Sequence, residues 1–156
     1  MPLNEALRLA EIDEDNWPEA LALAVRPEQR TFLADAAGIL ARGYAYRRCR
    51  ARVRAVRVGE TLVGLLLVRD LDEEPACYDL NQFMIDQRYQ DRGYGSRALA
   101  LLLEELAAEA KYPAVEVCVK RQAARALRVY EKAGFRDTGY TDPDLPDSLN
   151  LRYTFD

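Results

Sequence analysis

The stretch Phe83-Met84-Ile85-Asp86-Gln87-Arg88-Tyr89-Gln90-Asp91-Arg92-Gly93-Tyr94-Gly95-Ser96 decides how this chain is read. An apolar run stops at Ile85, a polar loop carrying Gly93 and Gly95 follows, and a strongly periodic segment begins. That order gathers backbone N–H groups and a helix N-terminus around one point. The first N–H groups of a helix lack intrahelical acceptors and the helix dipole favours anions, so such a point suits phosphate. Gly93 and Gly95 lack Cβ, which lets the backbone take positive φ and come close to a ligand.

Outward from the loop, Leu99, Leu102, Leu103, Leu106 and Ala110 recur at i, i+3, i+4 and i+7, with Glu104, Glu105 and Glu109 on the other side of a helix. Upstream, Cys77 to Ile85 reads as a central strand, with 79, 81, 83 and 85 on one face and 78, 80, 82 and 84 on the other. Arg50 to Val58, then Gly59-Glu60, then Thr61 to Val68 reads as a β-hairpin. Arg48, Arg50, Arg52 and Arg54 alternate with Cys49, Ala51, Val53 and Ala55, which predicts one basic, solvated face and one apolar face. Such a face discourages edge pairing. An anion or nucleic-acid surface is the less favoured reading of the same arginines.

Leu7 to Ala10 alternates as a first strand. Asn16 with Glu19 three residues on reads as a capping box for a helix to about Val25, and Phe32, Leu33, Ala36, Ala37 and Leu40 place a second helix up to about Gly43. Downstream, Pro113 precedes a strand from Ala114 to Val119. Ala123, Ala126, Leu127 and Tyr130 line a last helix, closed by Gly134 at C′ with Phe135 as its apolar partner. Tyr140 and Leu149 to Phe155 read as closing strands. The order of elements is α+β: an antiparallel meander, then a βαβ-like centre.

Glycine spacing alone leaves two readings. Gly93-Tyr94-Gly95-Ser96-Arg97-Ala98 also fits the dinucleotide fingerprint, with Glu116 at about the right distance downstream. However, Glu116 lies inside an apolar strand, and too little sequence follows for a doubly wound domain. The longer pattern Gln90-x-x-Gly93-x-Gly95 resembles the acetyl-CoA pyrophosphate loop of the GCN5-related N-acetyltransferases (GNAT). Leu127-Arg128-Val129-Tyr130-Glu131-Lys132-Ala133-Gly134-Phe135 resembles that family's second signature, Leu-x-x-Tyr-x-x-x-Gly-Phe. Pro27-Glu28-Gln29 with Phe32, and Phe83 to Asp86 before Tyr89-Gln90, are similar to the bacterial diamine and spermidine acetyltransferase branch, with streptothricin-type enzymes a near relative.

The resemblance covers the chain from about Ala6 onward. It implies a GNAT-like mixed, mostly antiparallel sheet of about six or seven strands flanked by about four helices, in a single domain over 1–156. It implies acetyl-CoA as cosubstrate, its pyrophosphate held by backbone amides of Gln90, Asp91, Arg92, Gly93, Tyr94, Gly95 and Ser96. The main chain of Phe83, Met84 and Ile85 would pair with the pantetheine arm and offer an N–H to the thioester carbonyl. The two early helices would cover the acceptor pocket. Tyr130 matches the tyrosine that donates a proton to sulfur. Related polyamine enzymes carry a glutamate where this chain has Asn81, and asparagine takes no proton. Asp79, directly or through a water oriented by Asn81, is then one candidate base, and Glu116 is another. Ala123 stands where the family often has an asparagine that contacts the cofactor.

The implied reaction is direct acetyl transfer to a primary amine in a ternary complex. A diamine or polyamine is the first acceptor, an antibiotic the next, and a protein amine the third. The rival from another class is a non-catalytic acyl-CoA-binding sensor module.

Composition narrows the chemistry. With no histidine among 156 residues, Ser-His-Asp and Cys-His catalysis are excluded and a transition-metal site is not expected. Cys49, Cys77 and Cys118 are too few and dispersed for a disulfide framework. The formal charge of −4, from 22 basic and 26 acidic residues, disfavours nucleic acid and attracts cations. No apolar run is long enough to span a membrane, and Met1-Pro2-Leu3-Asn4-Glu5 lacks a signal-peptide start. The expected location is the cytoplasm, and a homodimer is the expected assembly if the chain self-associates.

Overall fold

The computed structural model describes residues 6–156, so Met1 to Glu5 and any reading of a leader there lie outside the described residues. The strands are β1 (Leu7–Glu11), β2 (Arg52–Val58), β3 (Thr61–Leu71), β4 (Cys77–Ile85), β5 (Ala114–Lys120), β6 (Arg136–Asp137) and β7 (Ser148–Thr154). The helices are α1 (Trp17–Leu21), α2 (Ala36–Ala45), α3 (Tyr94–Glu109) and α4 (Ala124–Ala133). One seven-stranded sheet runs β1-β2-β3-β4-β5-β7-β6. All neighbours are antiparallel except β4 and β5. The expected mixed, mostly antiparallel α+β sheet flanked by helices is what forms.

Two cores share the sheet. On one face Ala20 of α1 and Ala36 and Ile39 of α2 pack with Leu65, Leu67 and Met84. On the other, Leu99, Leu102, Leu103 and Leu106 of α3 and Tyr130 of α4 pack with Tyr78, Leu80, Val115, Val117 and Val119. The leucine stripe of α3 is therefore the buried one, as its period requires.

β4 departs from simple alternation. Leu67 pairs with Gln82 and Val68 with Leu80, which leaves Asn81 as an extra residue, a β-bulge. Beyond a bulge the side chains change face. Tyr78, Leu80, Phe83 and Ile85 consequently pack on the α3 side, whereas Met84 joins the α1–α2 core. The expected sets 79, 81, 83, 85 and 78, 80, 82, 84 are corrected accordingly.

Other boundaries also move. Asn16 forms no capping box: its Oδ1 accepts from Asp13 N at 2.9 Å and its Nδ2 donates to Glu11 O at 2.9 Å, and α1 ends at Leu21, short of Val25. α2 starts at Ala36 rather than Phe32, because Asp35 accepts from Gly38 N at 2.7 Å and caps it. Arg48 lies in a 3-10 turn and Arg50 is left-handed at φ 54°, so neither belongs to β2. Tyr140 is exposed coil and not strand.

The arginines do not form a solvated face. Arg50 and Arg52 grip the buried carboxylate of Asp70, at 2.7 and 3.0 Å, and both reach Glu109 of α3. Arg54 pairs with Glu105 at 2.6 Å. Helix α3 thus turns its acidic side onto the strip, so these cations are neutralised within the fold.

Candidate functional site

The site is built on the divergence of β4 and β5. These parallel strands pair only at Tyr78–Val115 and Asp79–Glu116. From Leu80 to Ile85 the β5 side of β4 has no strand partner, so main-chain groups there face a gap. An unpaired strand edge beside a gap can accept an extended chain by strand-like hydrogen bonding. Phe83, Met84 and Ile85 lie on this edge.

The loop follows at the open end. Asp86 is almost fully buried and organises it: its carboxylate accepts from Arg88 N at 2.9 Å, Arg88 Nε at 2.8 Å and Ala24 N at 2.9 Å. Burial pushes the Asp86 carboxyl up, but the bonds from Arg88 and Ala24 outweigh it and hold the group below the usual range. Gly93 caps α3 at φ 81°, in the left-handed region, and a Cβ there would meet open space. The first i→i−4 bond of α3 runs from Arg97 N to Gly93 O at 3.1 Å. The amides of Tyr94, Gly95 and Ser96 therefore precede the helical ladder and have no intrahelical acceptor. A pyrophosphate fits this cradle: bare amides, a helix N-terminus and free space above Gly93.

The side chains of Gln90 and Asp91 have another task. Gln90 Nε2 donates to Gln29 Oε1 and to Ile85 O, both at 2.9 Å, and its Oε1 accepts from Arg125 Nη1 at 3.2 Å. Asp91, left-handed at φ 66°, bridges Arg26 at 2.7 Å and Arg125. The two arginines hold its carboxyl down at about 2. The loop is thereby tied to the segment before α2 and to the first turn of α4. Gln29 was noted only within the Pro27-Glu28-Gln29 stretch, and Arg26 and Arg125 were not singled out from the sequence, where nothing local announces partners 61, 65 and 34 residues away.

Tyr130 of α4 is 5% exposed and sits in the cluster that contains Leu80, Val117 and Val119, the residues flanking the gap. Helix α4 ends as expected: Gly134 at φ 111° and a bond from Phe135 N to Tyr130 O at 3.0 Å form a Schellman closure. Phe135 packs edge-on against the Tyr130 ring. The hydroxyl itself has no hydrogen-bond partner among the described residues. Burial alone pushes its pKa up, so the phenol is protonated at neutral pH.

Asp79 and Glu116 lie side by side in register on the face opposite α3. Asp79 Oδ2 accepts from Arg69 Nε at 2.8 Å and from Asn81 Nδ2 at 3.1 Å, while its Oδ1 accepts no bond among the described residues. Glu116 is paired with Arg152 at 2.6 Å. Ala123, buried with the α4 core, offers no polar side chain to a ligand. A cavity of about 540 Å³ between α3 and α4 includes neither Tyr130 nor any β4 residue in its walls and touches the loop only at Ser96, in the first turn of α3.

A splayed parallel pair, an amide-lined helix N-terminus at its mouth and a buried phenol beside it form a site whose shape and donors suit an extended phosphate-bearing ligand. The family model described as Acetyltransferase (GNAT) family matches residues 7–135, and the chain belongs to that family. It is 32% identical over 85 residues to the spermine/spermidine N(1)-acetyltransferase of Bacillus subtilis (strain 168), a match spanning 54% of this chain and 56% of that protein. The chain thus spans about half the length of the curated relatives it matches. Its fold is similar to that of aminoglycoside acetyltransferase AAC(6')-Ib in complex with coenzyme A, with a TM-score of 0.78, 17% identity and coverage of 96% and 95%. It is also similar to that of spermidine N-acetyltransferase from Vibrio cholerae in complex with CoA and spermine, with a TM-score of 0.72, 14% identity and coverage of 95% of each chain.

Proposed function

We propose that this protein is an acetyl-CoA-dependent N-acetyltransferase acting on a small primary amine, with a diamine or polyamine as first acceptor. The observation that carries the reading is the gap beside β4, with the bare amides of α3 at one end and the unpartnered Tyr130 phenol alongside. The seven strands, from Leu7 to Thr154, share one sheet, which supports reading the chain as one acetyltransferase unit.

Acetyl-CoA, when bound, supplies a thioester whose carbonyl carbon accepts an amine. The amides of Gly93, Tyr94, Gly95 and Ser96 hold its pyrophosphate, and the main chain of Phe83, Met84 and Ile85 holds the arm. An N–H of the same strand edge donates to the carbonyl oxygen, where negative charge develops. Tyr130 donates its proton to the departing sulfur. A lysine-like amine is neutral in only about one molecule in a few thousand at pH 7, so its proton must be removed. Asp79 Oδ1, open and next to Asn81, takes that proton directly or through a water. Glu116, held by Arg152 through Oε2 as Asp79 is held by Arg69 through Oδ2, is the other candidate.

The polyamine reading draws on the names of the relatives and on the segment between β6 and β7. That segment carries Asp142, Asp144 and Asp147, none of which is in an ion pair among the described residues. Unpaired carboxylates attract a polycation. A cytoplasmic site of action is part of the proposal, and the free thiols of Cys49, Cys77 and Cys118 suit a reducing compartment.

The test is an acceptor screen with acetyl-CoA, read by mass spectrometry and by release of the free thiol. Acetylated diamines or polyamines are the expected products. Tight acetyl-CoA binding with no turnover on any amine would establish the non-catalytic module instead.

A further inference from the structure

We propose that Gln82 is a positioning residue for the Asp79 carboxylate and makes its orientation depend on the segment leading into α2. The inference rests on the reading of Asp79 as proton acceptor. Gln82 stands just after the β-bulge, with its side chain on the α1–α2 side. Its Oε1 accepts from the backbone N–H of Ala34 at 2.9 Å. Its Nε2 faces Asn81 Oδ1 at 3.5 Å, Asn81 Nδ2 donates to Asp79 Oδ2 at 3.1 Å, and Arg69 Nε donates to the same oxygen at 2.8 Å.

The direction of this chain is forced. A side-chain amide can flip, but a backbone N–H is only a donor. Ala34 N therefore fixes the oxygen of Gln82 and turns its NH₂ toward Asn81. The Asp79 carboxylate, an acceptor only, draws the NH₂ of Asn81 toward itself, so the Asn81 oxygen faces Gln82 Nε2 and both ends of the chain set the same direction. Arg69, its guanidinium carbon 4.2 Å from the centre of the Tyr46 ring, adds a second donor to the same oxygen. Both donors engage Oδ2, and Oδ1 is left free. The bulge makes this possible, because it sets Asn81 and Gln82 so that adjacent side chains meet. The contact between Gln82 and Asn81 is the longest link, so it is the one that a shift of the segment around Ala34 makes or breaks.

The charged groups around Asp79 are Arg69 on β3, Glu116 on β5 and Arg152 on β7, and the buried thiol of Cys77 senses Asp79, Glu116 and Arg152. Among the described residues none of them is hydrogen-bonded to the Gln82 side chain. A carboxylate that loses a donor holds its charge less well. In Gln82→Glu the isosteric carboxylate still accepts from Ala34 N but has no N–H for Asn81. Asn81→Leu cuts the chain at its middle and keeps the Ala34 anchor.

The experiment measures kcat and kcat/KM against pH for Gln82→Glu, Asn81→Leu and Asp79→Asn, on whichever polyamine the native protein acetylates, with acetyl-CoA affinity by calorimetry. We expect Gln82→Glu and Asn81→Leu to lower kcat by about tenfold, to move the acid limb to higher pH and to leave acetyl-CoA affinity unchanged. Asp79→Asn should remove the acid limb. If Asp79→Asn removes it while both other variants keep the native profile, Gln82 is only a strand residue and the inference falls. If Asp79→Asn keeps the native profile, the proton-acceptor reading falls and takes the inference with it. Gln82→Met, which has no N–H for Asn81 and adds no charge beside Asp79, should give the same shift as Gln82→Glu and stands in for it if that variant fails to fold; a native profile in Gln82→Met overturns the inference.

Discussion

Tyr130 combines three properties that a proton donor needs: a buried ring, a hydroxyl with no partner among the described residues, and a pKa raised by burial. Tyr130→Phe should lower kcat by about 100-fold with acetyl-CoA affinity nearly intact, as pre-steady-state kinetics and calorimetry would read. Tyr130 was legible because its helix closes on Gly134-Phe135, a local signal. Asp79 was legible only as a carboxylate on a strand. That Arg69 and Asn81 occupy one of its oxygens and spare the other is a long-range fact. Asp86 did leave a trace, since an Asp ending an apolar strand before a polar turn reads as an Asx cap. Its bond to Ala24 left none.

At the scale of elements, the site depends on how β4 meets its neighbours. Gly64 on β3 lies where a Cβ would sit 2.4 Å from Met84 O, a backbone atom that cannot swing aside. Gly64→Ala should therefore force β3 from β4 and cost about 2 kcal/mol in urea unfolding, with weaker acetyl-CoA binding. Gly93→Ala meets no atom, so its cost is conformational only, about 1–2 kcal/mol at φ 81°. Comparing the two by chemical unfolding separates close packing from backbone strain. The helix stripe of α3, the hairpin turn at Gly59 and the β4 span were readable because each follows from a local period or turn residue. The bulge at Asn81 was not readable. It arises from the mismatch of two strands, and neither strand alone encodes it.

At the scale of the whole molecule, stability is coupled to acid. Asp70, buried between Arg50, Arg52 and Lys111, and Asp86 both have carboxyls held below the usual value. Burial acts upward on Asp70, and the bonds from Arg50 and Lys111 with the charge of Arg52 overcome it. A carboxyl lowered on folding contributes stability above its unfolded pKa of about 3.9, and the contribution fades as pH falls through the folded value. Urea midpoints should thus be level near neutrality and drop steeply below about pH 4. Asp70→Asn and Asp86→Asn should each be less stable at pH 7, by roughly 2 kcal/mol, and show a flatter acid decline. Equal slopes in all three proteins would contradict the assignment.

The linear chain by itself determined the elements that follow from nearest neighbours: the glycine loop, the leucine stripe, the capped helix bearing Tyr130 and the mixed order of strands and helices. Those signals are local, because periodicity and backbone conformation are properties of a few consecutive residues. Only the tertiary structure decided where charges pair and where strands part. The arginines Arg52 and Arg54 of β2 turned onto α3, the side chains of Gln90 and Asp91 became ties to distant segments, and β4 diverged from β5 after Asp79. Each of these outcomes balances desolvation against partners tens of residues away, and no window of sequence contains both sides of that balance.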